Sequence, residues 1–298
     1  MSPRKNGFEV VAPRKETPLF ENADLVSAHA EIVRTLNEKR IKEESFRHVY
    51  RNDVDSDIRS TRGKIAANAV NETGRDRWHK AISDLLEGLI YKGINEGGWL
   101  GKDVTSFPTA LFDDYVNGVD QIIDFHYPET DSHAYLGLAI DVTTGNVGTV
   151  YEKFEKIKKS IDRDDTGEGS LATIKYFSRA HFHGVVRNVP QAVVGIEPSR
   201  VERLALDWKG KHESLGQSPI KRLLLMQMRL QMETFASYAE WKGKPELTKI
   251  FLQDERRLKA ILDNTPIGKD DMVDLSNDDV FHSIHQALSL FRVPLKSV

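Results

Sequence analysis

An Asn117-Gly118 pair lies between two strand-like runs, TALFDDYV and VDQIIDFHY, and a third apolar run, YLGLAIDVT, follows. Asn-Gly accepts positive φ at both central positions of a type I′ turn, so the pair predicts a two-residue hairpin. The third run reads as a buried strand, which completes a meander. Before it, RDRWHKAISDLLEGLIYKGINEGGWL sets Trp78, Ile82, Leu85, Leu86, Leu89 and Ile90 at helical spacing, and Gly93, Gly97 and Gly98 end that helix. After it, TVYEKFEKIKKSID is amphipathic, with Val150, Phe154, Ile157 and Ile161 as the buried stripe. A short strand, ATIKYF, another apolar run, AVVGIEP, and a helix opened by PSRVERLALDW complete the block. The expected class is α/β, or α+β: a small mixed sheet in the order αβββαβ, flanked by helices.

The block divides the chain. Residues 1–20 hold three prolines and read as a flexible arm. Residues 21–74 read as a helical extension, in which Leu25, Ala28, Ile32, Leu36 and Ile41 form a narrow stripe and the charged second half faces solvent. The polar stretch from 49 to 75 is expected to be a loop or a weak helix. Residues 75–210 form the α/β core. Residues 211–298 read as helices packing on that core, the strongest being IKRLLLMQMRLQMETFASYAEW. No internal repeat or low-complexity tract is present.

Hydrophobic residues make up 39% and charged residues 29% of the 298, so the chain can build a core. A net charge of −3 gives no global basic field, and contact with nucleic acid would need a local patch. The absence of cysteine excludes disulfides, thiolate zinc sites and cysteine nucleophiles. Neither a secretory apolar run nor a stretch of 18 apolar residues occurs, so a cytoplasmic protein without a membrane span is expected.

The strands carry acids in a pattern. With Asn117-Gly118 as the turn, Tyr115 faces Asp120 and Asp113 faces Ile122, which puts Asp113, Tyr115, Asp120 and Asp124 on one face. Clustered carboxylates repel unless water or a cation stabilises them. In the third strand Asp141 shares a face with Gly137, Ala139 and Thr143, and an aspartate there is disfavoured by strand propensity. If this strand pairs with the hairpin, Asp120 and Asp141 converge on one hard, oxygen-preferring cation. The alternative is that these aspartates sit on solvated faces and turns, which suits Asp113 and Asp124 best.

GVDQIIDF followed by LGLAIDVT resembles the two acidic strands of the PD-(D/E)XK (restriction-endonuclease-like) phosphodiesterase superfamily, and the likeness extends to the element order between about Arg75 and Trp208. The resemblance implies that Asp120 and Asp141 hold Mg²⁺ or Mn²⁺, and Asp113 is a further candidate ligand. Glu87, in the preceding helix, matches a glutamate that assists the site in that family. The family's lysine two residues after the second acid is replaced by Thr143, so the resemblance requires a lysine from elsewhere. Lys153, Lys156 and Lys175 are the candidates, with Lys175 and Lys153 foremost. What it implies is a divalent-metal-dependent nuclease hydrolysing DNA, and the flanking helices could form a homodimer contact.

Two alternatives stay open. A catalytically inactive relative would bind or assemble on nucleic acid, and the missing lysine favours it. A helical scaffold or phage structural protein would need neither metal nor nucleic acid. Gln227, Gln231 and Phe235, four residues apart on one helix, are most simply packing. His126 and His133, beside a strand connection, and His181 and His183 read as surface residues. The lysines at 153, 156, 158 and 159 read as a solvated face. No Walker A, GxGxxG, HExxH, GxSxG or EF-hand pattern occurs.

Overall fold

The computed structural model describes residues 20–70, 72–141, 147–163, 171–179, 182–210, 212–265 and 278–293. Nearly all of the expected N-terminal arm, Thr143 and His181 fall outside these residues, as does the side chain of Asp141.

Helix α1 (Ala23–Lys39) starts where the Asn22 side chain accepts the Asp24 amide at 2.8 Å. Its expected stripe, Leu25, Ala28, Ile32 and Leu36, is buried. The stripe rests on α4 (Gly74–Asn95), which opens with a capping box between Thr73 and Asp76. The two helices approach closely at Gly88, where an added Cβ would lie 2.2 Å from Ile32 Cγ2. Only glycine fits there, and the contact brings the end of α1 beside Glu87. Between them run α2 (Arg47–Tyr50) and α3 (Asn52–Val70). Of the loop or weak helix expected from the polar sequence, α3 is the helix, and it buries only Val54 and Thr61.

Strands β1 (Val104–Pro108), β2 (Gln121–Tyr127), β3 (Ser132–Asp141) and β6 (Gln191–Gly195) form one mixed sheet in the order β1-β2-β3-β6. The first three are antiparallel neighbours, and β3 runs parallel to β6. A parallel neighbour needs a crossover, and α5 (Val147–Asp162) begins it, burying Val150, Phe154, Ile157 and Ile161. An antiparallel ribbon of β4 (Ala172–Arg179) and β5 (Phe182–Val189) stands between α5 and β6 as a second, two-stranded sheet.

Alternation along β2 and β3 decides what each sheet face covers. Ile123, Phe125, Leu136, Leu138 and Ile140 join the main core with α1, α4 and the C-terminal helices. Ile122 and Tyr135 turn the other way and pack with Ile174, Phe177 and Val189 of the ribbon. Helices α6 (Pro198–Gly210), α7 (Ile220–Trp241), α8 (Pro245–Asp263) and α9 (Asp279–Ala287) follow. One continuous apolar cluster runs from Phe20 to Phe291, so the terminal helices share the core of the sheet.

The expected hairpin at Asn117-Gly118 does not form. Asp113–Asn117 is a single wide helical turn, and Gly118 closes it at φ 70°. The first strand lies earlier, at β1, and reaches β2 through this turn. The reason is local bonding. The Asp113 carboxylate accepts the Asn117 side-chain amide at 2.6 Å and the backbone amides of Lys175 and Tyr176 at 2.8 and 2.9 Å. Asp and Asn offer such bonds at the expense of extended structure. The hairpin of the meander is instead β2–β3, with Tyr127 opposite Ser132.

Helix α7 closes the sheet. Gln227 exchanges two hydrogen bonds with the Gly195 backbone, at 3.0 and 2.7 Å, and Gln231 does the same with Val193, at 2.8 and 2.6 Å. Two primary amides one helical turn apart therefore serve β6 as a neighbouring strand would, leaving no open edge there.

Candidate functional site

Asp120 immediately precedes β2, and its amide donates to Leu138 O at 2.8 Å. Its Oδ2 accepts the Ile140 amide at 2.6 Å. The side chain thus continues the β2–β3 ladder one step past the last backbone bond, and this fixes its rotamer. Thr109 locks the other side of the segment, donating its hydroxyl to Val119 O at 2.5 Å and its amide to Asp120 O at 3.0 Å. Asp141 follows Ile140 at the end of β3, in register with Gly195 of β6. Lys153, on the second turn of α5, donates to Ile140 O at 2.6 Å. Asp120 and Lys153 therefore hold the two sides of one peptide residue beside Asp141.

A second layer is built around Arg40, which caps the C-terminus of α1. Its Nη1 donates to Asp114 Oδ2 at 3.1 Å and to Thr109 O at 3.0 Å, and its Nη2 donates to Glu87 Oε1 at 3.3 Å. Gln121 ties β2 to the same place, donating to the Glu87 carbonyl at 2.5 Å. The Arg40 side chain is 9% exposed. Burial works against its charge, but Glu87, Asp114 and Asp120 outweigh that and raise its pKa.

The acids show the converse strain. Glu87 is pushed well above the usual carboxylate range by burial, with Arg40 opposing and Asp120 and Asp114 adding to the rise. Asp114 is raised by burial and by the adjacent Asp120, to which it is also hydrogen-bonded. With Glu87, Asp114 and Asp120 all ionised, one guanidinium leaves the group two negative charges in excess. Such a set either holds protons or takes up a cation. The donors are oxygens, which suits a hard ion such as Mg²⁺. Among the described residues, however, these three acids do not bring one oxygen each within 4.8 Å as a trio. Arg40 stands between Glu87 and Asp114.

The remaining sequence candidates lie elsewhere. Asp113 is fully buried under the ribbon, where its oxygens are taken by the amides of β4, and desolvation raises its pKa to about 6. It does not share a face with Asp120, because the strand that would have aligned them is a helical turn. Lys175 pairs with Asp57 at 2.5 Å and stands over the rings of Tyr50, Phe112 and Tyr176. Asp124, expected on a solvated face, is wholly buried between Arg179 at 2.8 Å and His133 at 2.7 Å. Lys156 is exposed, while Lys158 and Lys159 pair along their helix with Asp162 and Glu155. His183 contacts Ser178 and the rings of Phe46 and His48.

Sequence reasoning missed Arg40 and Asp114. Arg40 belongs to the charged end of α1 that reads as solvated, and nothing local distinguishes it from its basic neighbours. Asp114 adjoins Asp113, but the strand reading turned it to the opposite face. No helix among the described residues is long and apolar enough to cross a membrane. No protein-family model matches the chain, and neither curated proteins nor solved structures match it.

Proposed function

We propose that the chain is a divalent-metal-dependent nuclease of the PD-(D/E)XK kind, hydrolysing phosphodiester bonds of DNA. Asp120 and Asp141 would hold Mg²⁺ or Mn²⁺, with Asp114 and Glu87 as further carboxyls paired to Arg40. Lys153 takes the part of the lysine that position 143 lacks. When bound, the ion would supply a more acidic water and neutralise charge on the phosphate. Lys153 would stabilise negative charge on a phosphate oxygen.

The observation that carries this reading is the double engagement of Ile140, by Asp120 on its amide and Lys153 on its carbonyl, one residue before Asp141. The order α4, β1, β2, β3, α5, β6 supports it further, with the β4–β5 ribbon treated as an insertion in the αβββαβ plan. The test is Mg²⁺- or Mn²⁺-dependent cleavage of plasmid and single-stranded DNA by the full chain. Loss of cleavage in Asp120→Ala and Asp141→Ala is expected, and activity surviving in the double variant would sink the reading.

Arg40 favours a second reading. A guanidinium already bonded to Glu87 and Asp114 supplies part of the charge a metal would. A catalytically inactive nucleic-acid-binding relative would keep that pair and bind DNA without cleaving it in any divalent ion. Fluorescence anisotropy with labelled DNA, run beside the cleavage assay, separates the two.

A further inference from the structure

The far end of β2 carries a second constellation. His126 and His133 are directly opposed across the β2–β3 ladder, and their rings stack with centroids 4.8 Å apart. Four residues, Pro128 to Asp131, join the strands, and Thr130 N closes the turn on Tyr127 O at 3.1 Å. Asp131 leaves that turn at φ 48°, a left-handed conformation that Asp tolerates better than most residues. Its Oδ1 stands 3.2 Å from His126 Nε2. One ligand atom from each of His126, Asp131 and His133 lies within 4.8 Å of the others.

Two paired histidines and a carboxylate could be nothing more than two surface hydrogen bonds. What distinguishes this trio is the residue behind it. Asp124 is fully buried, and its Oδ1 meets His133 Nδ1 at 2.7 Å while Arg179 Nε neutralises Oδ2 at 2.8 Å. A carboxylate on Nδ1 fixes the proton there, sets the ring plane and leaves the Nε2 lone pair for a metal. This carboxylate–imidazole arrangement is the usual support of a metal-ligating histidine. The His126–Asp131 separation also matches the edge of a tetrahedron whose ligand bonds are about 2.0–2.1 Å, an edge of roughly 3.3 Å.

We propose that the β2–β3 hairpin end binds one divalent transition-metal ion of the Zn²⁺ class through His126, Asp131 and His133, with Asp124 orienting His133. Two imidazoles and one carboxylate select such an ion over Mg²⁺ or Ca²⁺, which prefer oxygen throughout. Three protein ligands leave a position for water or an incoming group. The ion ties the hairpin end to the ribbon, since Asp124 reaches Arg179 of β4. The site is separate from the Asp120 cluster, which lies at the opposite end of the same strand.

The test is calorimetric titration of the full, tag-free chain with Zn²⁺ after chelation. One equivalent is expected to bind the wild-type chain, and thermal denaturation should shift upward with it. His126→Ala and His133→Ala should each weaken binding at least about tenfold, and His126→Ala, at a partly exposed position, should do so without lowering the metal-free melting temperature. Asp124→Asn should weaken it about 10–100-fold. If that variant does not fold, the two histidine variants decide. Asp120→Asn removes any uptake by the Asp120 cluster and should keep the equivalent held by His126, Asp131 and His133 whether or not the chain is a nuclease. A wild-type chain that takes up no Zn²⁺, or histidine variants that bind as wild type, would overturn the proposal.

Discussion

The Lys153 ammonium donates to the carbonyl of Ile140 at 2.6 Å, joining the second turn of α5 to the residue that precedes Asp141 in β3. Lys153→Met keeps the length of the side chain and removes its charge. On the proposed nuclease reading, cleavage by this variant should fall by about 10²–10³-fold, the loss typical for one donor to a developing oxyanion. Single-turnover cleavage at saturating Mg²⁺ measures it. Wild-type rates in this variant would assign Lys153 to structure alone.

Arg40 should matter to stability more than to chemistry. Arg40→Met leaves Glu87 and Asp114 buried without their cation, at a cost of about 3–5 kcal/mol at neutral pH. The pH dependence has a definite sign. Burial raises the folded-state pKa of both acids above the unfolded value, so the folded chain holds more protons and its stability declines as pH rises through those raised values. Arg40 opposes this rise, so its loss should steepen the decline. Urea denaturation at several pH values should show the deficit of the variant growing with pH, and a deficit independent of pH would contradict the account.

The glutamines of α7 make a prediction about packing. Gln231→Met is nearly isosteric and leaves the Val193 amide and carbonyl without their partner. Unsatisfied buried groups cost about 1–3 kcal/mol each, so for the two a loss of roughly 2–6 kcal/mol is expected. Hydrogen exchange at the Val193 amide should accelerate with it. Gln227→Met should act likewise at Gly195.

Asp254 gives a second pH effect away from the site. Burial raises its pKa to about 6, with the Arg257 ion pair opposing, and its Oδ2 is buried without a hydrogen-bond partner. Between pH 4 and 6 the folded chain keeps a proton there that the unfolded chain has released. Stability from this group therefore falls as pH rises across that window, by an amount on the order of 3 kcal/mol. Asp254→Asn should flatten the fall and raise the melting temperature at pH 7. Unchanged slopes in thermal melts from pH 4 to 7 would refute this.

The long periodic elements were legible. The stripe of Leu25, Ala28, Ile32 and Leu36 and that of Val150, Phe154, Ile157 and Ile161 are buried as their spacing requires, because a helix repeats its contacts every turn and needs no distant information. The turn at Asn117-Gly118 was misread for the opposite reason. Gly118 does adopt positive φ, but the conformation of Asp113–Asn117 depends on amides of Lys175 and Tyr176, some sixty residues away. A local propensity was overridden by a bond that no local window contains.

The candidate site divides along the same line. Asp120 could be named from the chain, since it adjoins an apolar strand, whereas Glu87 was named only through the family resemblance. Lys153 was one of several candidates until α5 docked. Arg40 and Asp114 were invisible, because what makes them notable is burial beside other charges, a property of assembled surfaces. The same holds for His126 and His133, which read as surface residues until the register paired them across a ladder with Asp124 behind.

By itself, then, the sequence determined the long periodic helices, that a small mixed sheet lies between them, and that cysteine chemistry is excluded. Those properties follow from periodicity and composition, which act within a few residues. Only the tertiary structure decided which carboxylates share a neighbourhood, which lysine reaches the end of β3 and which strand edge the α7 glutamines close. Electrostatic and hydrogen-bonding partners depend on distance through space, and α1, α4, α5 and β3 become neighbours only when their apolar faces share one core.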